Sequence, residues 1–509
     1  MKLEIMDTTL RDGEQTSGVS FSPSEKLHIA RLLLTEMGVD RIEIASARVS
    51  RGEFQGVKKI VEWGAEKGLL DKIEVLGFVD GKQSVDWILD SGAKVLNLLC
   101  KGSLRHVKSQ LRKTPEQHFT DILKLIAYAG DHGIKTNIYL EDWSNGMLNS
   151  KDYVISMIDA LSKAGIDRFM IADTLGVLNH EQCFDFCSEM VTLYPDLHFD
   201  FHAHNDYDLA AANVYSAVKA RVHGIHTTVN GLGERAGNVP LSSVIGILND
   251  HMAVEHKLNE QNLTRISHIV ESFSGIRIPA NKPLIGENVF TQTCGVHADG
   301  DSKDNLYYNS LLPERFGRVR QYALGKTSGK ANIEKNLEEL GISLDLEAMA
   351  RVTERIIELG DKKENITQAD LPFIISDVLG NGDSANQAIY INNYSLALSR
   401  GLRPVANIAV EIYGETHEES AIGDGQYDAF MKALGKIYKR LNKTLPTLVD
   451  YVVTIPPGGK TDALVDTVIT WNIGGREFKT RALEADQTES AIKATRKMLN
   501  IVEKIITTN

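Results

Sequence analysis

From the N-terminus to about residue 275, short runs of β-branched and apolar residues alternate with longer stretches in which apolar positions recur every three or four residues. The runs are LEIMDT (Leu3 to Thr8), RIEIAS (Arg41 to Ser46), KIEVLGFV (Lys72 to Val79), KVLNLLC (Lys94 to Cys100), KTNIYLE (Lys135 to Glu141), RFMIADT (Arg168 to Thr174), HFDFHAHN (His198 to Asn205) and GIHTTVNG (Gly224 to Gly231). They recur about every 30 residues, the length of one βα unit, and eight such units in about 250 residues predict a (β/α)8 TIM barrel. A doubly wound open sheet is the competing arrangement. It is disfavoured because no Gly-rich phosphate fingerprint follows the first run.

Past residue 275 the pattern changes. Asn281 to Tyr308 is polar and rich in Gly, Asn and Asp, and helical periodicity runs from about Ile333 to Val378. LGNGDSAN (Leu379 to Asn386) reads as a boundary. Two successive βββα patterns follow: Ala388 to Leu398, Val405 to Tyr413, Glu418 to Gly423 and Tyr427 to Leu441, then Val449 to Ile455, Ala463 to Trp471, Glu477 to Ala485 and Thr488 to Val502. The expected division is a catalytic barrel at 1–275, helical linker subdomains at 276–380 and a C-terminal α+β regulatory domain at 387–509.

Composition narrows the function. The 509 residues carry 56 Lys+Arg against 68 Asp+Glu, a net charge of −12, so a phosphate-coating surface is not expected and nucleic acid is excluded as the main partner. An anionic substrate then needs a local positive pocket. Four scattered cysteines indicate a reducing compartment, and Cys183 and Cys187, with only His180 nearby, read as buried helix thiols rather than a zinc site. No leader pattern opens the chain and no uncharged apolar run reaches the roughly 18 residues of a membrane helix, so no membrane role is expected and the location reads as cytoplasmic.

Candidate chemistry gathers at the ends of the strand runs. Asp7, Arg11, Asp12, Glu43, Glu141, Asp173, Thr174, His202, His204 and Asn230 lie in or just after their C-terminal halves, where barrel enzymes build active sites. In HAHND (His202 to Asp206), residues i and i+2 of a strand share a face, so both imidazoles can address one divalent ion. Asp12 can join them, because only the eighth strand separates the first from the seventh in a closed barrel. Arg11 beside Asp12 is suited to grip a carboxylate or steady an oxyanion. Glu141 and Asp142 are candidate bases, an exposed acidic loop being the alternative. NGLGERAGNVP (Asn230 to Pro240) has three glycines that permit close backbone approach. GKTSGK (Gly325 to Lys330) is not a Walker A loop, since Arg320 stands where the required Gly would be.

DTTLRDGEQTSGVSFS, DTLGVL, FHAHNDYDLAAAN, VNGLGERAGNVPL and IGENVFTQTCGVHADG together resemble the acyl-CoA Claisen-condensing enzymes that include isopropylmalate, homocitrate and citramalate synthases, and the resemblance covers the whole chain. It implies a TIM barrel with two linker subdomains and a C-terminal regulatory domain in an exchanged homodimer. It also implies a divalent metal (Mn, Mg, Zn or Co) held by Asp12, His202, His204 and Asn238, with Arg11 and Thr174 holding a 2-oxo acid. Glu141, with His297 and Tyr307 from a second copy's linker, resembles the proton-handling set, while Asp299, Asn305, Leu306 and Tyr307 resemble acetyl-CoA contacts. Leu76, Leu99 and Tyr139 resemble the pocket wall of the citramalate synthases, which implies pyruvate as acceptor, (R)-citramalate and CoA as products, and a place in isoleucine biosynthesis. LVDYVVTIPPGGKTDALVD resembles the feedback stretch, with Leu448, Tyr451, Ile455, Thr461, Val465 and Gln487 lining a slot for isoleucine. Ala485 departs there from a Pro of the pattern. The alternatives are an isopropylmalate synthase taking 2-oxoisovalerate, a metal-dependent aldolase or thioester lyase, and a non-catalytic amino-acid sensor.

Overall fold

The computed structural model describes residues 2–304, 306, 309–361, 366, 368, 371, 374–375, 378, 388–454, 465–484 and 486–507. The chain forms two compact units, residues 1–291 with 304–321, and residues 292–303 with 322–509.

The first unit is a closed barrel of eight parallel strands in sequential order: β1 (Glu4–Asp7), β2 (Arg41–Ser46), β3 (Ile73–Phe78), β4 (Val95–Lys101), β5 (Lys135–Glu141), β6 (Phe169–Asp173), β7 (Phe199–Ala203) and β8 (Gly224–Thr227). Seven strands fall inside the run predicted for them, and β4 extends one residue beyond its run, to Lys101. Closure is made by β1 pairing with β8, Glu4 opposite Gly224 through Asp7 opposite Thr227. Three of the helices begin at a reciprocal capping box: Ser22 with Glu25, Thr114 with Gln117 and Asn179 with Gln182.

Alternation along each strand sends Ile42 and Ile44 outward into the helix layer and leaves the intervening Arg41 and Glu43 for the interior. The barrel axis is therefore unusually polar. Near its N-terminal end, buried Arg41 meets Glu74 at 2.8 Å, Glu4 at 3.3 Å and Asp200. Gly224 makes room for this group, because a Cβ there would lie 2.1 Å from Asp200 Oδ1. A small apolar cluster, Met6, Leu76, Tyr139 and Met170 with Leu99 against it, occupies the interior apart from the main core. Cys183 and Cys187 are buried on helix His180–Leu193, and the Cys183 thiol lies 3.2 Å from the Asn213 carbonyl.

The second unit contains the helices Lys330–Glu339 and Leu346–Asp361 and the predicted βββα repeat. Strands Ile389–Ala397, Val405–Ile412 and Glu415–Ile422 precede helix Gln426–Arg440; strands Thr447–Thr454, Val465–Ile473 and Arg476–Glu484 precede helix Gln487–Thr507. Both copies contribute to one hydrophobic core, including Ile408, Phe430, Trp471 and Leu499. Asn500 ties them together by bonding both the N–H and the carbonyl of Ile389. Among the described residues, no helix is long and apolar enough to cross a membrane.

Candidate active site

The turn after β1 places the first two polar groups. The Thr8 carbonyl accepts from the backbone N–H of Arg11, Asp12 and Gly13 at 2.8 to 3.1 Å, which folds the chain sharply back over the strand end. Buried Lys26 fixes that turn from below. Its ammonium donates to the Leu10 and Ile44 carbonyls and pairs with Glu14 at 2.6 Å and Glu53 at 2.7 Å.

On the far side, β7 carries His202, and His204 follows it. The loop after β8 lies along this strand end: the N–H of Val239 bonds the Ala203 carbonyl, and His204 and Asn238 form a bridge. Gly237, at φ +82°, is required here, because a Cβ would come within 1.9 Å of the Gly231 carbonyl oxygen. The same loop reaches β6 through Arg235, which pairs with Asp206 and donates to the Thr174 carbonyl.

Asp12, His202 and His204 thereby converge, each offering a ligand atom within 4.8 Å of the others. Asp12 Oδ2 lies 3.1 Å from His202 Nε2 and 3.7 Å from His204 Nε2. Burial opposes charge on Asp12, but Arg11 at 3.3 Å and the hydrogen bond with His202 outweigh it and hold the carboxyl well below its usual range. Burial lowers both imidazoles, His204 to about 4, so they stand neutral at pH 7, the form that binds a cation.

The donor set fits a divalent metal on a further count. Asp12 Oδ1 and Asn238 Oδ1 are buried without a hydrogen-bond partner among the described residues. Buried acceptors are rarely left so unless an ion or water satisfies them. Asn238 spends its amide N–H on the Leu232 carbonyl at 3.1 Å, which leaves its oxygen for a cation.

Arg11 links this group to the interior. Its Nε donates to Glu43 at 2.5 Å, and Glu43 accepts in turn from Asn97 at 2.8 Å. Its guanidinium lies 5.6 Å from the Tyr139 ring centroid. Leu76, Leu99 and Tyr139 belong to the single interior cluster described above. The Thr174 hydroxyl accepts from the Asp142 backbone N–H at 2.8 Å, so its own proton can be donated.

The two candidate bases part company. Glu141, at the end of β5, is half-buried and paired with Lys101. Asp142 is buried and engaged by Ser103 and Asn145 at 2.7 Å each, which makes it a pin for the loop rather than a base. Asn230 is likewise structural, donating to the Ser267 carbonyl. His297 and Asp299 stand on helix Gly295–Asp304, Asp299 accepting from Lys303 at 2.6 Å. Leu306 is exposed; Asn305 and Tyr307 lie outside the described residues. Of the effector set, Val465 is buried, Tyr451 stacks on Tyr427 at 5.5 Å, Leu448 is exposed and Gln487 opens the last helix. Ile455 and Thr461 lie outside the described residues.

Two residues that the sequence pattern did not single out, Asn97 and His226, touch the site, and Glu43 gains a partner there in Arg11. The available signal was charge at inward strand positions, since a parallel barrel buries both strand faces and leaves no solvent face for Glu43 to occupy.

The HMGL-like family profile matches residues 2–270, a profile described as homocitrate synthase post-HMGL domain-like matches 284–364, and one for the LeuA allosteric (dimerisation) domain matches 365–503. The (R)-citramalate synthase of Methanocaldococcus jannaschii is 33% identical over 504 residues, covering 99% of this chain and 100% of that one. The chain belongs to the isopropylmalate/homocitrate/citramalate synthase family. Within it, the 2-isopropylmalate synthase of the same organism is also 33% identical, over 97% of this chain and 93% of the other. A solved HMG-CoA lyase from Bacillus subtilis aligns with a TM-score of 0.48 and 20% identity, over 55% of this chain and 95% of that one. As a member of this family the protein is an acyl-CoA-dependent condensing enzyme; HMGL-like family members use a divalent metal, and the Asp12, His202 and His204 cluster is suited to hold one.

Proposed function

We propose that the protein condenses acetyl-CoA with pyruvate to give (R)-citramalate and CoA, and that its C-terminal domain senses isoleucine. The observation that carries the acceptor assignment is the interior cluster of Leu76, Tyr139, Met6 and Met170, with Leu99 against it, standing directly beside Arg11. Bulk at these positions leaves space for a methyl group and crowds an isopropyl group. A pocket separates such acceptors by volume alone, worth about 1–3 kcal/mol per methylene. Overall identity does not help, because relatives named for either acceptor are equally similar.

In this reading Arg11 and the Thr174 hydroxyl hold the oxo acid. The cation bound by Asp12, His202, His204 and Asn238 supplies Lewis acidity toward the keto group. Glu141, with His297 and Tyr307 from a second copy, handles the α-proton of the acetyl methyl. The methyl carbon, once deprotonated, attacks C2 of pyruvate; the keto oxygen becomes an alkoxide, steadied by Arg11, and takes up a proton. Water then cleaves the thioester, releasing CoA thiol and the new carboxylate and making the step irreversible.

The test is thiol release from acetyl-CoA across an acceptor panel at limiting substrate. Pyruvate should give the highest rate per active site; a faster rate with 2-oxoisovalerate would replace this reading with the isopropylmalate synthase one. Isoleucine, rather than leucine, should inhibit the full-length enzyme.

A further inference from the structure

Tyr139 belongs to the acceptor pocket, but its ring is held by groups deeper in the barrel. Its hydroxyl lies 3.0 Å from His226 Nδ1 and 3.4 Å from Arg11 Nη2. Arg11 can only donate, so the hydroxyl oxygen accepts from it and gives its single proton to Nδ1. Nδ1 is then an acceptor, the ring proton sits on Nε2, and Nε2 donates to Asp200 Oδ2 at 3.3 Å. Asp200 cannot yield, being gripped by Arg41 and by His198 at 2.9 Å. His226, Asp200 and Tyr139 are all buried.

We infer that His226 is a specificity-determining residue: by accepting the Tyr139 hydroxyl and anchoring it to Asp200, it fixes the tyrosine ring as a rigid wall of the acceptor pocket. The inference rests on the reading of Leu76, Leu99 and Tyr139 as that wall. Without His226 the buried hydroxyl loses its acceptor and the ring is free to turn toward Arg11 and the acceptor. The wall then yields to larger side chains. His226 does not touch the reacting atoms on this account; it acts through Tyr139 and is a positioning residue.

The experiment compares wild type, His226→Phe, His226→Asn, Tyr139→Phe and the double variant His226→Phe/Tyr139→Phe. The readout is the ratio of kcat/KM for pyruvate to kcat/KM for 2-oxoisovalerate, with the KM for acetyl-CoA measured alongside. His226→Phe and Tyr139→Phe should each shrink the ratio about fivefold or more, the factor set by one neutral hydrogen bond. The change should fall on the acceptor while the acetyl-CoA KM stays put, and the double variant should lose little more than either single one. His226→Asn, which keeps an oxygen where Nδ1 stands, should recover part of the ratio. A ratio within about twofold of wild type in Tyr139→Phe overturns the inference even should His226→Phe fail to fold. If wild type itself prefers 2-oxoisovalerate, the pyruvate assignment falls, yet the dependence of the ratio on His226 is still read from the same data.

Discussion

Replacing Asp7 with Asn should make the protein more stable at pH 7 and less stable at pH 4. Asp7 ends β1, is 1% exposed, and accepts from the Thr9 N–H at 2.9 Å and the Thr227 hydroxyl at 3.1 Å, with no cation beside it among its described contacts. Burial dominates these two hydrogen bonds and pushes its pKa from 3.8 up to about 6. A raised value means that the fold disfavours the ionised form. The stability tied to Asp7 is therefore full below about pH 4 and is lost as pH rises through about 6, by about 3 kcal/mol at 1.36 kcal/mol per pH unit. Asn has the same shape and no charge to bury. Its oxygen keeps the Thr9 bond and one N–H can meet the Thr227 oxygen, but the second N–H lacks an acceptor, at a cost of about 1 kcal/mol. The balance at pH 7 is about 2 kcal/mol in favour of Asn; at pH 4 only the unmet N–H remains, about 1 kcal/mol against it. Thermal unfolding of both proteins from pH 4 to 7.5 reads this as a Tm difference that changes sign, by roughly 2–4 °C for each kcal/mol. A difference that stays constant across the range would refute the reasoning, because burial of a charge is its only pH-dependent part.

Three further outcomes follow from the geometry. Arg11→Lys keeps the charge but loses the fork that serves Glu43 and Asp12 together, so kcat/KM in the thiol-release assay should fall about 100-fold or more with the fold intact by circular dichroism. Asn238→Ala should weaken divalent-cation binding in calorimetric titration about tenfold, while chelation of the wild type should abolish turnover until a cation is restored; unchanged affinity would remove Asn238 from the ligand set. Lys26→Met leaves Glu14 and Glu53 facing each other and two carbonyls unmet, costing about 3–5 kcal/mol in denaturant unfolding; Glu53→Gln in the same chain should recover part of it.

The fold was legible because its signal is periodic and local. Each βα unit states its strand as a β-branched run and its helix as a repeat of apolar positions, and closure of eight such units follows from their number and twist. The HAHND spacing likewise fixed that two imidazoles share a strand face, and the glycines of NGLGERAGN marked a backbone that must pass close to another. What the sequence could not rank were residues of the same type at neighbouring positions. Glu141 and Asp142 are adjacent carboxylates, yet Asp142 is pinned by Ser103, 39 residues away, with the nearby Asn145, and Glu141 pairs with Lys101, 40 residues away.

By itself, then, the sequence determined the barrel, the βββα repeat, and the presence of two histidines and an aspartate at strand ends. Only the tertiary structure decided which of these side chains meet. It brought Asp12 within 3.1 Å of His202, gathered Leu76, Leu99 and Tyr139 into one apolar cluster, and ran a buried chain from Tyr139 through His226 to Asp200. The reason is geometric: inward side chains of a closed barrel come from strands far apart in sequence, and the strand-to-strand register that aligns them appears only when β1 pairs with β8.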